Sequence, residues 1–378
     1  MFSRAEEIVQ VGLDKGLYSA AALGIILNGK IVKEEYFGKL SFDENAEKVD
    51  KNTRFDLASL SKIISTTSIA LRYLDRGLLR LGDKLSYFFP DATAAKKISI
   101  EQLLTHSSGE PSHFFLSAEL NDPSGIRELL LHRELEYESG TQEKYSCMGF
   151  ILLGEILKKI ADASLDEIFK EEVIDTLSLE STSYGPLNIS KIPVARTKDE
   201  RSREVLAGIV HDENARFQGG ISANAGLFSN LRDTMTYAQA LLESCDRDNY
   251  SLNGSYWLEN KNFETLTYKL QNGARSFISP YTMRLARKNY TPGMEEDRGL
   301  GFFLGSTKSS SFGDLFPNSF GHTGFTGTSI LISPEDDLAV VFLSNRVIAD
   351  VSPMELVRLR ASLHNVIGAE LSCLKSSF

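Results

Sequence analysis

Strongly apolar runs lie near both ends of this chain, and helical spacing of apolar residues dominates between them. Residues 20–27 and 30–37 flank an Asn-Gly pair at 28–29, which favours positive φ at both turn positions and predicts a β-hairpin. Residues 328–333 and 338–344 predict a second pair of strands. Because strands from the two ends can pair in one sheet, we expect the residues between them to be inserted into it.

Several stretches show helical spacing or helix-start signals. We predict helices over residues 5–15, from Ser59 to Leu74 with Gly77 as the stop, over 148–161, and from Pro353 to about Leu371. Two more helices are predicted to begin with capping boxes, Ser99 with Gln102 and Ser164 with Glu167. The polar runs 270–277 and 305–314 are predicted loops.

This order of elements predicts an α+β fold, an antiparallel sheet flanked by terminal helices with an inserted, mostly helical region. We expect residues 1–58 and 295–378 to form the sheet part and residues 59–294 to form the helical part. An active site would lie at their junction.

Composition and charge narrow the classes of partner. The chain has 378 residues, of which 42% are hydrophobic and 24% charged, as in ordinary globular proteins. Its net charge of −10 and lack of a basic block argue against nucleic acid or an anionic membrane as a partner. No run approaches the roughly 18 apolar residues that span a bilayer. We therefore expect a small-molecule substrate; the oligomeric state is left open.

The N-terminal sequence and the cysteines bear on location and cofactors. The first 30 residues lack the pattern of a signal peptide, so we expect a cytoplasmic location, or a periplasmic one if an export signal precedes this sequence. Cys147, Cys245 and Cys373 are too few and too scattered for a disulfide framework or a zinc site. We predict neither a metal nor an organic cofactor.

The segment FDLASLSK brings candidate chemistry into this framework, because Ser59 and Lys62 lie three residues apart at a predicted helix start. A serine hydroxyl needs a base to act as a nucleophile at neutral pH. A lysine can serve if burial or nearby cations lower its pKa. At a spacing of three the two side chains face the same side of a helix. Alone, this spacing is a weak signal, and a capping serine beside a solvated lysine is the structural alternative.

Two further segments strengthen the catalytic interpretation. KYSCMGF places Tyr145 directly before a long predicted helix, where a tyrosine can shuttle protons if cations lower its pKa. GHTGFTG, residues 321–327, is expected just before a strand, where a backbone N–H can stabilise an oxyanion. Three separated motifs would thus converge on one site.

In this order the motifs resemble those of the serine β-lactamase and penicillin-binding-protein superfamily, near its class C β-lactamase and esterase-like branch. That superfamily carries Ser-x-x-Lys, Tyr-x-Asn and Lys/His-Thr-Gly. The counterparts here are Ser59-Leu-Ser-Lys62, Tyr145-Ser-Cys147 and His322-Thr323-Gly324, and the flanking segments LLTHSSG, VHDENAR, AGLFSN and LSNR are also similar. The resemblance spans roughly residues 18–350 and implies the β-lactamase/transpeptidase-like fold.

The resemblance implies a role for each matching residue. Ser59 would be the acylated nucleophile, Lys62 and Tyr145 would share proton transfer, and Tyr145 would activate water for deacylation. The backbone N–H groups of Ser59 and Phe325 would form the oxyanion hole. The groups in contact with the substrate would be His322, Thr323, Gly324 and Cys147, with His322 and Thr323 donating hydrogen bonds.

Cys147 departs from the superfamily pattern, in which an asparagine amide holds the substrate and orders the lysine. A thiol is a weak donor and acceptor and cannot reproduce a two-ended amide contact. This change, together with His322 in place of lysine, favours an esterase-like member over a β-lactamase or D,D-peptidase. Cys147 itself is expected to be a small buried residue rather than a nucleophile.

The remaining histidines are assigned structural positions. His106 is expected to be satisfied by backbone, and His211 with Asp212 to belong to a loop network or cleft wall rather than a metal site or triad. The surface or packing histidines are expected to be His113, His132 and His364. The chain has no Gly-x-Ser-x-Gly elbow, which disfavours an α/β-hydrolase, and Gly219-Gly220 reads as a turn rather than a phosphate loop.

The sequence therefore predicts a serine hydrolase that forms an acyl-enzyme with a carboxylic ester or a small amide. A β-lactamase, a D,D-carboxypeptidase or a D-aminopeptidase is the alternative within enzymes. A non-catalytic scaffold or a sensor of cell-wall fragments is the alternative from another class. The expected partner of the enzyme is a small ester, amide or β-lactam substrate.

Overall fold

The computed structural model describes residues 1–245, 264, 276–307 and 310–376. Within these residues the largest sheet has six antiparallel strands in the order β2-β1-β11-β10-β9-β8. Its strands are β1 Ala20–Leu27, β2 Lys30–Gly38, β8 Phe303–Leu304, β9 Phe320–Thr323, β10 Ser329–Ser333 and β11 Leu338–Ser344. Smaller sheets contain β3 Phe55–Asp56, β4 Ser183–Tyr184 and β7 Leu227–Ser229, and β5 Thr197–Lys198 with β6 Val205–Leu206.

The two predicted hairpins form, and they pair with each other. Asn28 and Gly29 have φ of 51° and 71°, the conformation the β1–β2 turn requires. β1 pairs with β11 from Ala21 opposite Ser344 to Leu27 opposite Leu338. The strands nearest the two ends of the chain thus lie side by side at the centre of the sheet.

Helices occupy both faces of this sheet and most of the chain between its halves. In the described residues they are α1 Ser3–Asp14, α2 Ser68–Asp75, α3 Leu85–Phe88, α4 Ile100–Leu104, α5 Leu116–Glu119, α6 Ile126–His132, α7 Cys147–Ala161, α8 Leu165–Phe169, α9 Asp175–Leu177, α10 Glu213–Phe217, α11 Leu231–Ser244, α12 Pro280–Ala286 and α13 Pro353–Ser376. π-Helical segments precede α2 at Lys62–Thr67 and follow α8 at Lys170–Ile174.

Alternation along the central strands divides the apolar interior into two layers. In β1, Ala22 and Ile26 face a core shared with the helical part, whereas Leu23 and Ile25 face a second core shared with α1 and α13. Successive strand residues point to opposite faces, so a strand buried on both faces carries a continuous apolar run. The fold is the antiparallel α+β arrangement that the sequence predicts.

Helix boundaries agree in part with the prediction. The capping box at Ser99 and Gln102 is present, and Gly77 has the left-handed φ of a helix stop. The last helix reaches Ser376 rather than ending near Leu371, so that prediction was too short. Residues 270–275 of one predicted loop lie outside the described residues.

The helix α11 shows how the two predicted parts fit together. It comes from the predicted inserted part, yet it packs on β1, β10 and β11 of the sheet. The division at residues 58 and 295 remains a prediction. No helix of the described residues combines the length and the apolar character needed to cross a bilayer.

Candidate active site

Ser59 lies in a tight turn between β3 and the π-helical segment. Ala58, just before it, has φ of 46°, a region that non-glycine residues seldom adopt. The Asp56 carboxylate holds this turn by accepting a hydrogen bond from the Ala58 N–H at 2.8 Å. Strain of this kind clusters at functional sites, because surrounding contacts must enforce it.

Lys62 is fully buried beneath Ser59 at the start of the π-helical segment. Its Nζ donates to Ser59 Oγ at 3.1 Å, to the Asn224 carbonyl at 2.9 Å and to Cys147 Sγ at 3.5 Å. Three short contacts fix the amine at the serine, which fits a base and not a solvated surface lysine.

Tyr145 completes the group, with its ring centroid 4.9 Å from Lys62 Nζ. Its phenol oxygen is buried and has no hydrogen-bond partner among the described residues. The His106 ring packs on it at 4.4 Å, and His106 Nδ1 accepts from the Ser146 N–H at 3.0 Å. Backbone thus satisfies one ring nitrogen of His106, which bears out the expectation in part, whereas the buried Nε2 has no hydrogen-bond partner among the described residues. The ring also supports the tyrosine.

The third motif lies just before the strand β10, as predicted, and its first three residues also belong to a strand that was not predicted, β9. His322 and Thr323 end β9, and the following loop is joined to the Ser59 turn. Thr328 Oγ1 donates to the Leu57 carbonyl at 3.0 Å, and Thr326 Oγ1 donates to the Asp56 carbonyl at 2.7 Å. These bonds bring the Phe325 backbone toward Ser59, where the predicted oxyanion hole would form.

His322 is held as a neutral ring. Its Nδ1 donates to the Thr323 carbonyl at 2.8 Å, and burial, with the charges of Lys62 and Arg298, holds its pKa well below the ordinary value. The neutral ring that donates through Nδ1 presents Nε2 as an acceptor. This differs from the donor role that the resemblance implies for His322.

The pKa values of the buried cluster differ in direction from the expectation of a lowered lysine and a lowered tyrosine. Burial lowers the pKa of Lys62, but the charges of Cys147 and Tyr145 raise it more, so its pKa lies above the ordinary value. Burial raises the pKa of Tyr145 more than Lys62 lowers it. Burial also raises the pKa of Cys147, but Lys62 and a hydrogen bond with His113 bring it below the ordinary thiol value. The interaction between the two groups therefore favours the protonated form of Lys62 and the ionised form of Cys147.

Cys147 begins α7 behind Lys62 and is not among the residues that line the cleft in front of Ser59. Its place differs from the substrate contact that the resemblance implies. His113 is exposed, as its assignment as a surface or packing residue expected, and it also makes a hydrogen bond with Cys147. His132 is exposed and His364 is buried, as that assignment expected.

The network around His211 is also as expected. Its N–H donates to Asp56 Oδ2 at 2.7 Å, and its ring Nε2 lies 3.1 Å from the Lys198 carbonyl. Asp212 caps α10 by accepting from the Ala215 N–H at 2.8 Å. These residues fix loops behind the Ser59 turn.

A cleft of about 340 Å³ opens at this junction. All three motifs contribute to its lining, through Ser59, Tyr145, His322, Thr323, Gly324 and Phe325. The sequence interpretation did not assign the arginines of the lining, Arg298, Arg346 and Arg360. Arg298 pairs with Glu143 at 2.9 Å and with Glu296, and stacks on Phe303 at 3.7 Å. Of these three arginines, only Arg346 lies in one of the flanking segments that resemble the superfamily, LSNR.

Comparison with known proteins identifies the family to which a chain with this arrangement belongs. The family model described as Beta-lactamase matches residues 5–364. The chain belongs to the Beta-lactamase family. This is a family of serine hydrolases with the β-lactamase and penicillin-binding-protein fold, so the resemblance drawn from the three motifs is confirmed.

Individual relatives of this Beta-lactamase family chain have diverse activities. This chain is 28% identical over 379 residues to an N-acetylmuramyl-L-alanine amidase of Bacillus subtilis (strain 168). The match covers 91% of this chain and 80% of that protein. The solved structure of EstCE1, a hydrolase with promiscuous acyltransferase activity, matches with a TM-score of 0.72 at 19% identity, covering 96% and 97% of the two chains. A class C beta lactamase from Rhodobacter sphaeroides matches with a TM-score of 0.72 at 17% identity, covering 97% and 99%. The two structural matches show the shared fold.

Proposed function

We propose that this chain is a serine hydrolase that forms an acyl-enzyme at Ser59 with a carboxylic ester or a small amide. The observation that carries the proposal is the 3.1 Å hydrogen bond between the buried Lys62 ammonium and Ser59 Oγ at the floor of the cleft. A scaffold has no need of a buried amine held at a hydroxyl, since burying it costs solvation energy.

In the proposed acylation the reactive form of the cluster is the minor one in which the Lys62 amine is neutral and the proton lies on Cys147 Sγ, 3.5 Å away. The amine takes the Ser59 proton as Oγ bonds to the carbonyl carbon. The carbonyl oxygen becomes an oxyanion at the N–H groups of Ser59 and Phe325. Collapse then breaks the bond to the leaving group, which takes a proton from the Tyr145 phenol.

Deacylation follows the same path with water as the nucleophile. The Tyr145 phenolate formed in the first half-reaction takes a proton from water, and the water oxygen bonds to the acyl carbon. The ester bond to Ser59 breaks, and Oγ regains its proton from Lys62. The raised pKa of Tyr145 suits this second half, because a weakly acidic phenol gives a strongly basic phenolate.

The choice of esters and small amides rests on Cys147. A β-lactamase, D,D-carboxypeptidase or D-aminopeptidase would need another group in place of the asparagine amide, and Cys147 is engaged with Lys62 and set back from the cleft. An amide substrate is retained because the Bacillus subtilis relative is named as an amidase.

The test is a panel of 4-nitrophenyl esters, D-amino-acid amides and nitrocefin, assayed with wild type and Ser59→Ala. We expect ester turnover that Ser59→Ala abolishes, and a single fluorophosphonate adduct at Ser59 by intact-mass measurement. Acylation without turnover would instead favour a sensor. The absence of an adduct and of turnover on every substrate would overturn the proposal and favour a scaffold.

A further inference from the structure

The side chains of Lys62 and Cys147 place two nucleophiles in direct contact. Cys147 Sγ lies 3.5 Å from Lys62 Nζ, and bonds to Ser59 Oγ and to the Asn224 carbonyl hold the amine in that position. We call Lys62 and Cys147 the amine–thiol pair. Because the superfamily pattern has an asparagine at position 147, the pair is a feature of this chain and not of the pattern.

The surroundings of Cys147 differ from those of an inert core cysteine. The Lys62 charge and a hydrogen bond with the exposed His113 bring the pKa of Cys147 below the ordinary thiol value in spite of burial. Cys147 is 9% exposed, whereas Cys245 is 3% exposed and its sulfur donates to the Leu241 carbonyl. Reactive cysteines occupy electropositive, partly exposed sites, since the thiolate is the nucleophile. Cys147 therefore fits the class of cysteine that small oxidants attack.

The group in contact with the Cys147 sulfur is an amine rather than a second thiol. All three cysteines are free, and Cys245 directly follows α11 while Cys373 lies in α13. A cysteine oxidised to sulfenic acid condenses with a thiol to a disulfide or with a nitrogen to a sulfenamide. In the amine–thiol pair, Lys62 Nζ is the nitrogen at hand.

Oxidation of Cys147 also makes Lys62 more reactive. The Cys147 charge is the largest of the charges that raise the pKa of Lys62, against burial, which lowers it. A sulfenic acid is neutral, so this contribution is lost on oxidation and burial then favours the neutral amine. The neutral amine is the form that attacks an electrophilic sulfur.

We propose that a peroxide oxidises Cys147 and that Lys62 Nζ and Cys147 Sγ then join through a covalent nitrogen–sulfur bond. The thiolate sulfur bonds to one oxygen of hydrogen peroxide, the O–O bond breaks, and the released hydroxide takes a proton from the Lys62 ammonium to become water. Sulfur is oxidised by two electrons and the peroxide is reduced. The neutral amine then bonds to sulfur, the S–O bond breaks, and the leaving hydroxide takes the proton that nitrogen gives up.

The link would act on the active site through Lys62. A nitrogen bonded to sulfur is a much weaker base than an amine, so it cannot take the Ser59 proton. This consequence rests on the proposed function, whereas the link itself does not. Two thiol groups of a reductant such as dithiothreitol return the thiol and the amine and leave a disulfide of the reductant. The modification is therefore a reversible one.

Peptide mapping of peroxide-treated wild type tests the proposal. Trypsin should release residues 55–72 joined to residues 145–158, because a blocked Lys62 is no longer cleaved. The mass of the product should lie below the sum of the two peptides by two hydrogen atoms, about 2 Da. Dithiothreitol before digestion should abolish the joined product. The exposed Cys373 should gain oxygen in the same sample, which shows that the peroxide acts, and the buried Cys245 should not.

Two variants separate the roles of the amine and the thiol. Lys62→Arg keeps a cation beside the sulfur but has no amine, so Cys147 should go on to sulfinic acid, gain about 32 Da and resist dithiothreitol. Cys147→Ser should give no joined product. The same oxygen-added Cys147 in wild type and Lys62→Arg, without joined peptides, would overturn the proposal. An unmodified Cys147 in wild type whose Cys373 is oxidised would do so too, even if Lys62→Arg fails to fold.

Ser59→Ala separates this inference from the proposed function, because the joined product should form in this variant to the same extent as in wild type. Where wild type turns over esters, peroxide should lower turnover in proportion to the joined fraction, and dithiothreitol should restore it. Cys147→Ser should keep its own turnover through the treatment. A joined product in a chain without turnover upholds the inference while the proposed function fails. Turnover that survives peroxide, with no joined product, overturns the inference alone.

Discussion

Cys147 has large chemical consequences for a single residue, because its sulfur lies 3.5 Å from the Lys62 ammonium. The superfamily pattern has an asparagine there, which cannot accept a proton from the lysine. A thiol near a cation ionises more readily, so Cys147 adds an ionisable group to the cluster of Lys62 and Tyr145. The sequence marks this residue as a departure, but its partner in the fold shows what the departure does.

Replacing Cys147 should move the acid limb of the pH–rate profile. Activity requires the cluster to lose one proton. Where either of two acidic groups can lose it, the apparent pKa of that loss is below the pKa of each group alone. The pKa of Cys147 is lowered by Lys62, whereas the pKa of Tyr145 is raised by burial. In Cys147→Ser the acid limb should therefore shift to higher pH by about one unit or more. The measurement is kcat/KM against pH on a neutral ester.

A second cysteine supplies the control for this measurement. Cys245 is also buried, and its sulfur donates to the Leu241 carbonyl within α11, so Cys245→Ser should leave the acid limb in place. An unchanged limb in Cys147→Ser would show that Lys62 and Tyr145 titrate without help from the sulfur.

Cys147→Asn should in addition raise nitrocefin hydrolysis more than ester hydrolysis, if the missing amide limits the hydrolysis of β-lactams.

At the scale of elements, the active site requires the end of β9 to pack against the turn at Ser59. Gly324 lies at this contact. A Cβ at Gly324 would lie 2.1 Å from Thr328 Oγ1 and 2.6 Å from the Leu57 carbonyl. Gly324→Ala should therefore push the Phe325 loop away from Ser59. We expect kcat/KM to fall roughly 10-fold or more, because small displacements of positioned groups are costly.

The control for Gly324→Ala is Gly82→Ala, where the added Cβ would meet no atom within 4 Å. Circular dichroism and thermal unfolding should show that both variants fold, with Gly324→Ala less stable by about 1–3 kcal/mol. Equal activity of the two variants would contradict the idea that this contact sets the geometry of the oxyanion hole.

The elements also show which features a sequence can predict. The β1–β2 hairpin and the capping box at Ser99 depend on residues close along the chain, so the local pattern was enough. The strand β9 was missed because it has four residues, two of them polar, and lies in the sheet through its pairing with β8 and β10. The burial of Arg346 and Arg360 could not be predicted either, since the identity of an arginine does not reveal whether the fold covers it.

Across the whole molecule, Asn345 connects three distant parts of the chain. Its Oδ1 accepts from the N–H groups of Ser19 and Ala20 at 3.1 and 2.9 Å, and its Nδ2 donates to the Arg196 carbonyl at 2.9 Å. It follows β11 directly, so one buried amide joins the N-terminal strand, the middle of the chain and the C-terminal part of the sheet. The cooperativity of the fold should depend on this amide.

Asn345→Ala should lower the free energy of unfolding by about 3 kcal/mol, because it leaves several buried polar groups without partners at a cost of about 1–3 kcal/mol each. Denaturant unfolding followed by far-ultraviolet and by near-ultraviolet circular dichroism measures the loss. Asn318→Ala is the matched control, since that exposed amide contacts only the Glu335 carboxylate, and its cost should stay within about 0.5 kcal/mol. If both variants lost the same small amount, Asn345 would not couple the parts. The two probes could also give separate unfolding transitions in Asn345→Ala but one shared transition in wild type. Asn345 would then join a sheet part and a helical part that can unfold independently. Such a result would support the predicted division at residues 58 and 295.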